Sequence, residues 1–266
     1  MTRLNKIREL DNEVFEQFKI YLPKLYESKF QNEHPITFQL FIDFDISTNF
    51  IKNSMFTCGE KDEMFGIKIL FRSQIEYFLR FKYLFINWVK YQSDDISKKY
   101  IQFLNAKELI DYAKAVHSNF QLDNSTLKEI DWKKLLDKFP KLKNYSKQEI
   151  ELEAAKFSYK NIIRFINNEV FANKSTQNSF LGLLIVEYAE LSSYVHGGIK
   201  SFENLDKYTD ESIRKQEYIR IASIAYQICT SIKMFILTPT LKSEKEEFAP
   251  YYHNINSLLN KIEEID

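Results

Sequence analysis

Between Asp62 and Tyr91 the chain reads DEMFGIKILFRSQIEYFLRFKYLFINWVKY, and this stretch decides the fold. Phe65, Ile69, Leu79 and Tyr83 recur at helical spacing, while Ile67, Phe71, Phe78, Phe81, Phe85 and Trp88 fall on other faces. A helix apolar nearly all round must be surrounded by protein, so this one is expected at the centre of a bundle. Two charges, Arg72 and Glu76, stand one turn apart on the Phe65–Tyr83 stripe. Burying ions is costly unless they pair, so the spacing predicts an internal Arg–Glu pair with a polar partner on a facing helix.

Working outward, apolar residues at three-to-four spacing predict a helix from about Leu4 to Ser28, with Pro23 as a possible kink. A second starts near Pro35, where the first turn tolerates proline, and ends at Cys58-Gly59. Ser93-Asp94-Asp95 supplies a capping signal for a helix to about His117, forming a hairpin with the central one. Residues 118–148 lose periodicity and read as an excursion carrying one short helix from Leu127 to Phe139. Periodicity returns over Glu149–Phe171, Ser179–Val195 and Asp210–Leu237, and Pro239 is expected to close the last of these. The expectation is therefore an all-α protein: one bundle of about seven to nine helices over residues 1–240, a protruding basic segment in its middle, and a C-terminal accessory helix within 241–266.

Composition agrees. Five Gly and five Pro in 266 residues leave a many-stranded fold short of turn chemistry, and 23 Phe with 16 Tyr suit a crowded helical core. Lysine plus arginine equals aspartate plus glutamate at 37 each, so no global field attracts nucleic acid or an anionic membrane. Cys58 and Cys229 lack the companions of a zinc site or a disulfide framework and are expected as reduced core residues. The start of the chain has no apolar stretch resembling a signal peptide, and the apolar run near Ile221–Ile236 is broken by polar residues, so a cytoplasmic protein without membrane spans is expected. Gly-rich phosphate loops, nucleophile elbows and kinase signatures are absent, which sets nucleotide-binding folds aside.

The polar partner for Arg72 and Glu76 is expected on the Ser179–Val195 helix, where Ile185, Ala189, Ser192 and His196 share one face. Gly197-Gly198 follows His196 as a left-handed helix stop, and the negative end of the helix favours a cation there. His196, Arg72, Glu76 and Ser192 are thus the candidate catalytic residues. His196 would act as general acid or base, Arg72 would stabilise an anionic phosphate, and Glu76 would orient one of them. Alternatively the cluster is bundle cement. His34, His117 and His253 lack metal-ligand spacing, and no Glu-x-x-His pattern lies on paired helices, so neither metal nor cofactor is expected.

Between Lys128 and Lys147 seven lysines face three acidic residues, with Trp132, Phe139 and Tyr145 interleaved. Lys133, Lys134, Lys138, Lys141 and Lys143 are the candidate nucleic-acid contacts of this patch, set against the plainer reading of a solvated face.

The pieces Arg72-Ser73-Gln74-Ile75-Glu76 and Ser192-Ser193-Tyr194-Val195-His196-Gly197 resemble those of HEPN-like helical proteins, over about Glu63 to Leu237. The resemblance implies a metal-independent RNase of bacterial stress, toxin–antitoxin or phage-defence systems, acting on RNA as a homodimer with a composite site and answering to a protein partner. The usual motif of that family separates an arginine from the histidine by four to six residues. The matching positions are Leu191, Glu190 and Ala189, so Arg72 would have to supply the cation. A non-catalytic helical interaction module and a helical enzyme acting on a small molecule are the competing readings.

Overall fold

A computed structural model describes residues 2–122, 130–172 and 178–264. Among them there are only helices: α1 (Arg3–Glu27), α2 (Lys29–Glu33), α3 (Pro35–Glu60), α4 (Met64–Tyr91), α5 (Asp95–Leu122), α6 (Trp132–Leu136), α7 (Lys147–Ala155), α8 (Tyr159–Ala172), α9 (Asn178–His196), α10 (Ile199–Lys207), α11 (Glu211–Ser243) and α12 (Lys245–Asn260), with two short 3-10 turns.

The all-α expectation holds, and α4 is the central helix. It packs on α3 and α11 on one side and on α8 and α9 on the other, while α1 and α12 close over α11. Phe41 of α3 meets Phe81 of α4 at 4.9 Å between ring centroids, and Phe85 of α4 meets Phe235 of α11 at 4.8 Å. Phe41, Phe71, Phe81 and Tyr226 are fully buried. Each such side chain stabilises the bundle by about 1.5–3 kcal/mol in transfer free energy.

Among the described residues twelve helices replace the expected seven to nine because α2 and α10 are too short to show a period, and because the expected Glu149–Phe171 helix is two. The break falls at Phe157, whose backbone tightens to i−3 bonding and whose ring enters the core edge-on to Tyr83 and Tyr100. The start of α7 lies at Ser146, where Ser146 and Glu149 form a capping box. Asp94 does more than precede α5. Its carboxylate accepts from the backbone N–H groups of Ile36 (3.2 Å) and Thr37 (2.9 Å), capping α3 across the fold.

Pro239 does not end α11, which continues to Ser243. The hydroxyls of Thr238 and Thr240 donate to the carbonyls of Met234 and Leu237, on either side of the interruption. The boundary expected at 240/241 therefore falls inside a helix, and the segment expected as an accessory is part of the bundle. Phe248, Ile255 and Leu258 are buried, and Tyr226 donates to the Leu258 carbonyl at 2.7 Å. By length and composition α11 is apolar enough to cross a membrane, but 72% of its most apolar window is buried here as core.

Of the expected Leu127–Phe139 helix, Leu127 to Glu129 lie outside the described residues, and the described helix is only α6. Its segment is anchored through buried Leu136 and Leu142, with Trp132, Leu135 and Phe139 packed beside them. Two ion pairs cross the deepest core: Lys52 with Asp11, and Lys233 with Asp45 at 2.7 Å. Between them Gln74 donates to the carbonyls of Thr48 and Ala225 and to Cys229 Sγ at 3.2 Å.

Candidate functional site at the seam of α4 and α9

The helices α4 and α9 run antiparallel, because Phe78 meets Phe180, Arg72 meets Tyr188 and Ser192, and Phe65 meets Tyr194. Tyr188, Ser192 and His196 are each one turn apart on α9 and so share a face. Two of the three reach Arg72. Its Nη2 donates to Tyr188 Oη at 2.6 Å, its Nε lies 3.5 Å from Ser192 Oγ, and its guanidinium sits 4.4 Å from the centre of the Tyr188 ring. The predicted pair is present as well, with Arg72 Nη1 3.3 Å from Glu76 Oε2.

Glu76 is shared. Its Oε2 also accepts from Tyr188 Oη at 3.1 Å, while its Oε1 accepts from Arg80 Nη2 at 2.7 Å and Arg80 Nε at 3.2 Å. Arg80 in turn points Nη1 at Tyr100 Oη, 3.4 Å away. Tyr159 of α8 stacks on Tyr188 at 3.5 Å, and its buried hydroxyl has no hydrogen-bond partner among the described residues.

Burial, followed by the charge of Glu76, pushes the Tyr188 phenol up to about 12 against the opposing pull of Arg72. Burial and the neighbouring Tyr188 raise Tyr159 as well. Both phenols are therefore neutral near pH 7. Burial disfavours the charge on Arg80, but Tyr100 and Glu76 outweigh it and hold this guanidinium protonated. Two guanidinium groups thus share one carboxylate, leaving one net positive charge in a part-buried seam.

The structure brings together Arg72, Glu76 and Ser192. His196 is the last residue of α9, exposed, one turn beyond Ser192 on the same face, and makes no hydrogen bond to the cluster. Gly197 follows at φ 63°, a left-handed stop that favours glycine, and the Gly198 N–H returns to the Ser193 carbonyl at 2.8 Å. Sequence reasoning missed Tyr188, Arg80, Tyr159 and Tyr100. The first two were within reach of the same four-residue spacing, Tyr188 from Ser192 and Arg80 from Glu76. Tyr159 and Tyr100 sit on other helices, and no local signal marks them.

Lys133, Lys134, Lys138, Lys141 and Lys143 are all exposed. Two of the three rings among them are engaged, while Tyr145 is exposed. Trp132 lies under Lys147 Nζ at 4.6 Å, Phe139 packs on the core, and Tyr145 stands edge-on to Phe103 at 5.3 Å. Among the described residues no group of three or more His, Cys, Asp or Glu is placed to hold a metal ion, and both cysteines are free thiols. No family model, curated protein or solved structure matches this chain.

Proposed function

We propose that this chain is a HEPN-like, metal-independent ribonuclease of bacterial stress or phage defence, working as a cytoplasmic homodimer at the seam of α4 and α9. The observation that carries the reading is the Tyr188–Ser192–His196 face of α9. Its inner two residues hold Arg72, and its outer residue is an exposed imidazole at the solvent edge. A general acid or base has to meet its substrate, and a cation has to wait where phosphate charge develops. The surplus positive charge of Arg72 and Arg80 over Glu76 suits an anionic substrate.

In the proposed step His196 takes the proton from a ribose 2′-hydroxyl. That oxygen attacks the phosphorus, the bond to the 5′-oxygen breaks, and the leaving oxygen is protonated. The products are a 2′,3′-cyclic phosphate and a 5′-hydroxyl. One imidazole serves one proton transfer, so the second belongs to the other copy. Exposed apolar residues on α9 and α10, namely Leu183, Val186, Val195, Ile199 and Phe202, support a dimer. The lysines at 133, 134, 138, 141 and 143 would hold the RNA backbone.

Incubation of the protein with total RNA in EDTA tests the reading. Cleavage by the wild type, lost in both His196→Ala and Arg72→Ala, is the expected result; intact RNA under the wild type sinks it. A second reading, a non-catalytic interaction module with the cluster as cement, draws support from one fact. Three nitrogens of Arg72 already face partners within the chain, and Tyr188 covers one of its faces.

A further inference from the structure

On the opposite side of Glu76 from Arg72, a cleft of about 440 Å³ opens between α3, α4 and α5. It forms because α5 packs more on α7 than on α3 or α4. Leu40, Ile101 and Leu104 line its walls. Three aromatic rings line it as well: buried Phe44 has Tyr77 at 5.9 Å and Tyr100 at 6.1 Å between centroids.

The charges facing the cleft are three carboxylates, Asp43, Glu76 and Glu108, and one guanidinium, Arg80. Glu76 is shared by Arg72 and Arg80, so these three together carry one positive charge, against two negative charges on Asp43 and Glu108. Asp43 accepts only from the neutral amide of Gln39, at 2.9 Å, and Glu108 has no ion-pair partner among the described residues. Among the described residues these two carboxylates have no cation partner at the rim of an aromatic pocket. Aromatic faces attract organic cations through the ring quadrupole, and clefts of this size hold small molecules. An anion would meet the excess negative charge.

We infer that the cleft between α3, α4 and α5 binds a small organic cation, an alkylammonium whose apolar body rests on Phe44, Tyr77 and Tyr100 and whose charge faces Asp43 and Glu108. This site is separate from the ribonuclease reading and does not rest on it.

Isothermal titration of the full chain with tetramethylammonium, benzyltrimethylammonium and spermidine tests the inference. At least one of the three is expected to bind. Its affinity should fall about tenfold or more in the Asp43→Asn/Glu108→Gln double variant and in Tyr77→Ala, each checked for intact helicity. It should not change in Glu246→Gln/Glu247→Gln, which removes equal charge from the distant start of α12. Absence of binding by all three ions, or a smaller loss in either cleft variant, or an equal loss in the α12 control, overturns it.

Discussion

The molecule holds two ionic regions of opposite design. In the core, Lys52 belongs to Asp11 and Lys233 to Asp45, one cation to one carboxylate, and all four residues are buried. At the seam of α4 and α9, two arginines share Glu76, tyrosines fill the remaining positions, and the cluster is part-exposed, with Glu76 and Arg80 lining a cleft. Burial presses the Lys233 ammonium toward its neutral form, yet Asp45 outweighs burial and holds its pKa above the ordinary lysine value. A sealed, one-to-one pair has no capacity for a ligand. A shared, part-exposed one has charge to spare, and this contrast separates cement from site.

The largest effect is expected in the core. Lys233→Ala leaves Asp45 buried without its cation, and urea denaturation should show a loss of about 3–5 kcal/mol. The double variant Lys233→Met/Asp45→Leu should recover most of that loss; if it does not, the pair contributes more than mutual neutralisation. Glu76→Gln should cost less, about 1–2 kcal/mol, because water reaches its arginines and screens them.

Lys82 supplies an intermediate case, a cation with no carboxylate partner among the described residues. Its Nζ lies 3.7 Å from the centre of the Phe235 ring, and burial pushes its pKa down to about 8 from the ordinary 10.5. The unfolded chain therefore binds more protons between those two values, and stability should rise as pH climbs from about 8 toward 10.5. Lys82→Met should flatten that part of the pH profile; an unchanged slope would assign it elsewhere. The smallest effect belongs to the basic segment. Replacing Lys133, Lys134, Lys138, Lys141 and Lys143 by glutamine should change stability by no more than about 0.5 kcal/mol per site, since all five are exposed. RNA affinity should fall and lose part of its salt dependence.

The same contrast explains what the sequence made legible. Arg72 and Glu76 are four residues apart on one helix, so their pairing followed from spacing, and Ser192 followed from the face it shares with His196. The core pairs join Asp11 to Lys52 and Asp45 to Lys233, across 41 and 188 residues, and no local pattern joins them. Long helices such as α4 and α9 announced themselves through periodicity. The short α2 and α10 did not, and the break at Phe157 is set by a tertiary slot between Tyr83 and Tyr100. The continuation of α11 through Pro239 is likewise tertiary, since neighbouring packing overrides the local stop.

One pair of readings on Arg72→Ala separates site from cement most directly: unfolding free energy and RNA cleavage in EDTA, taken on the same sample. A functional seam predicts a stability loss under about 2 kcal/mol together with loss of a cleavage that the wild type performs. A stability loss of about 3–5 kcal/mol, matching the buried core pairs, with RNA left intact by the wild type, would contradict it.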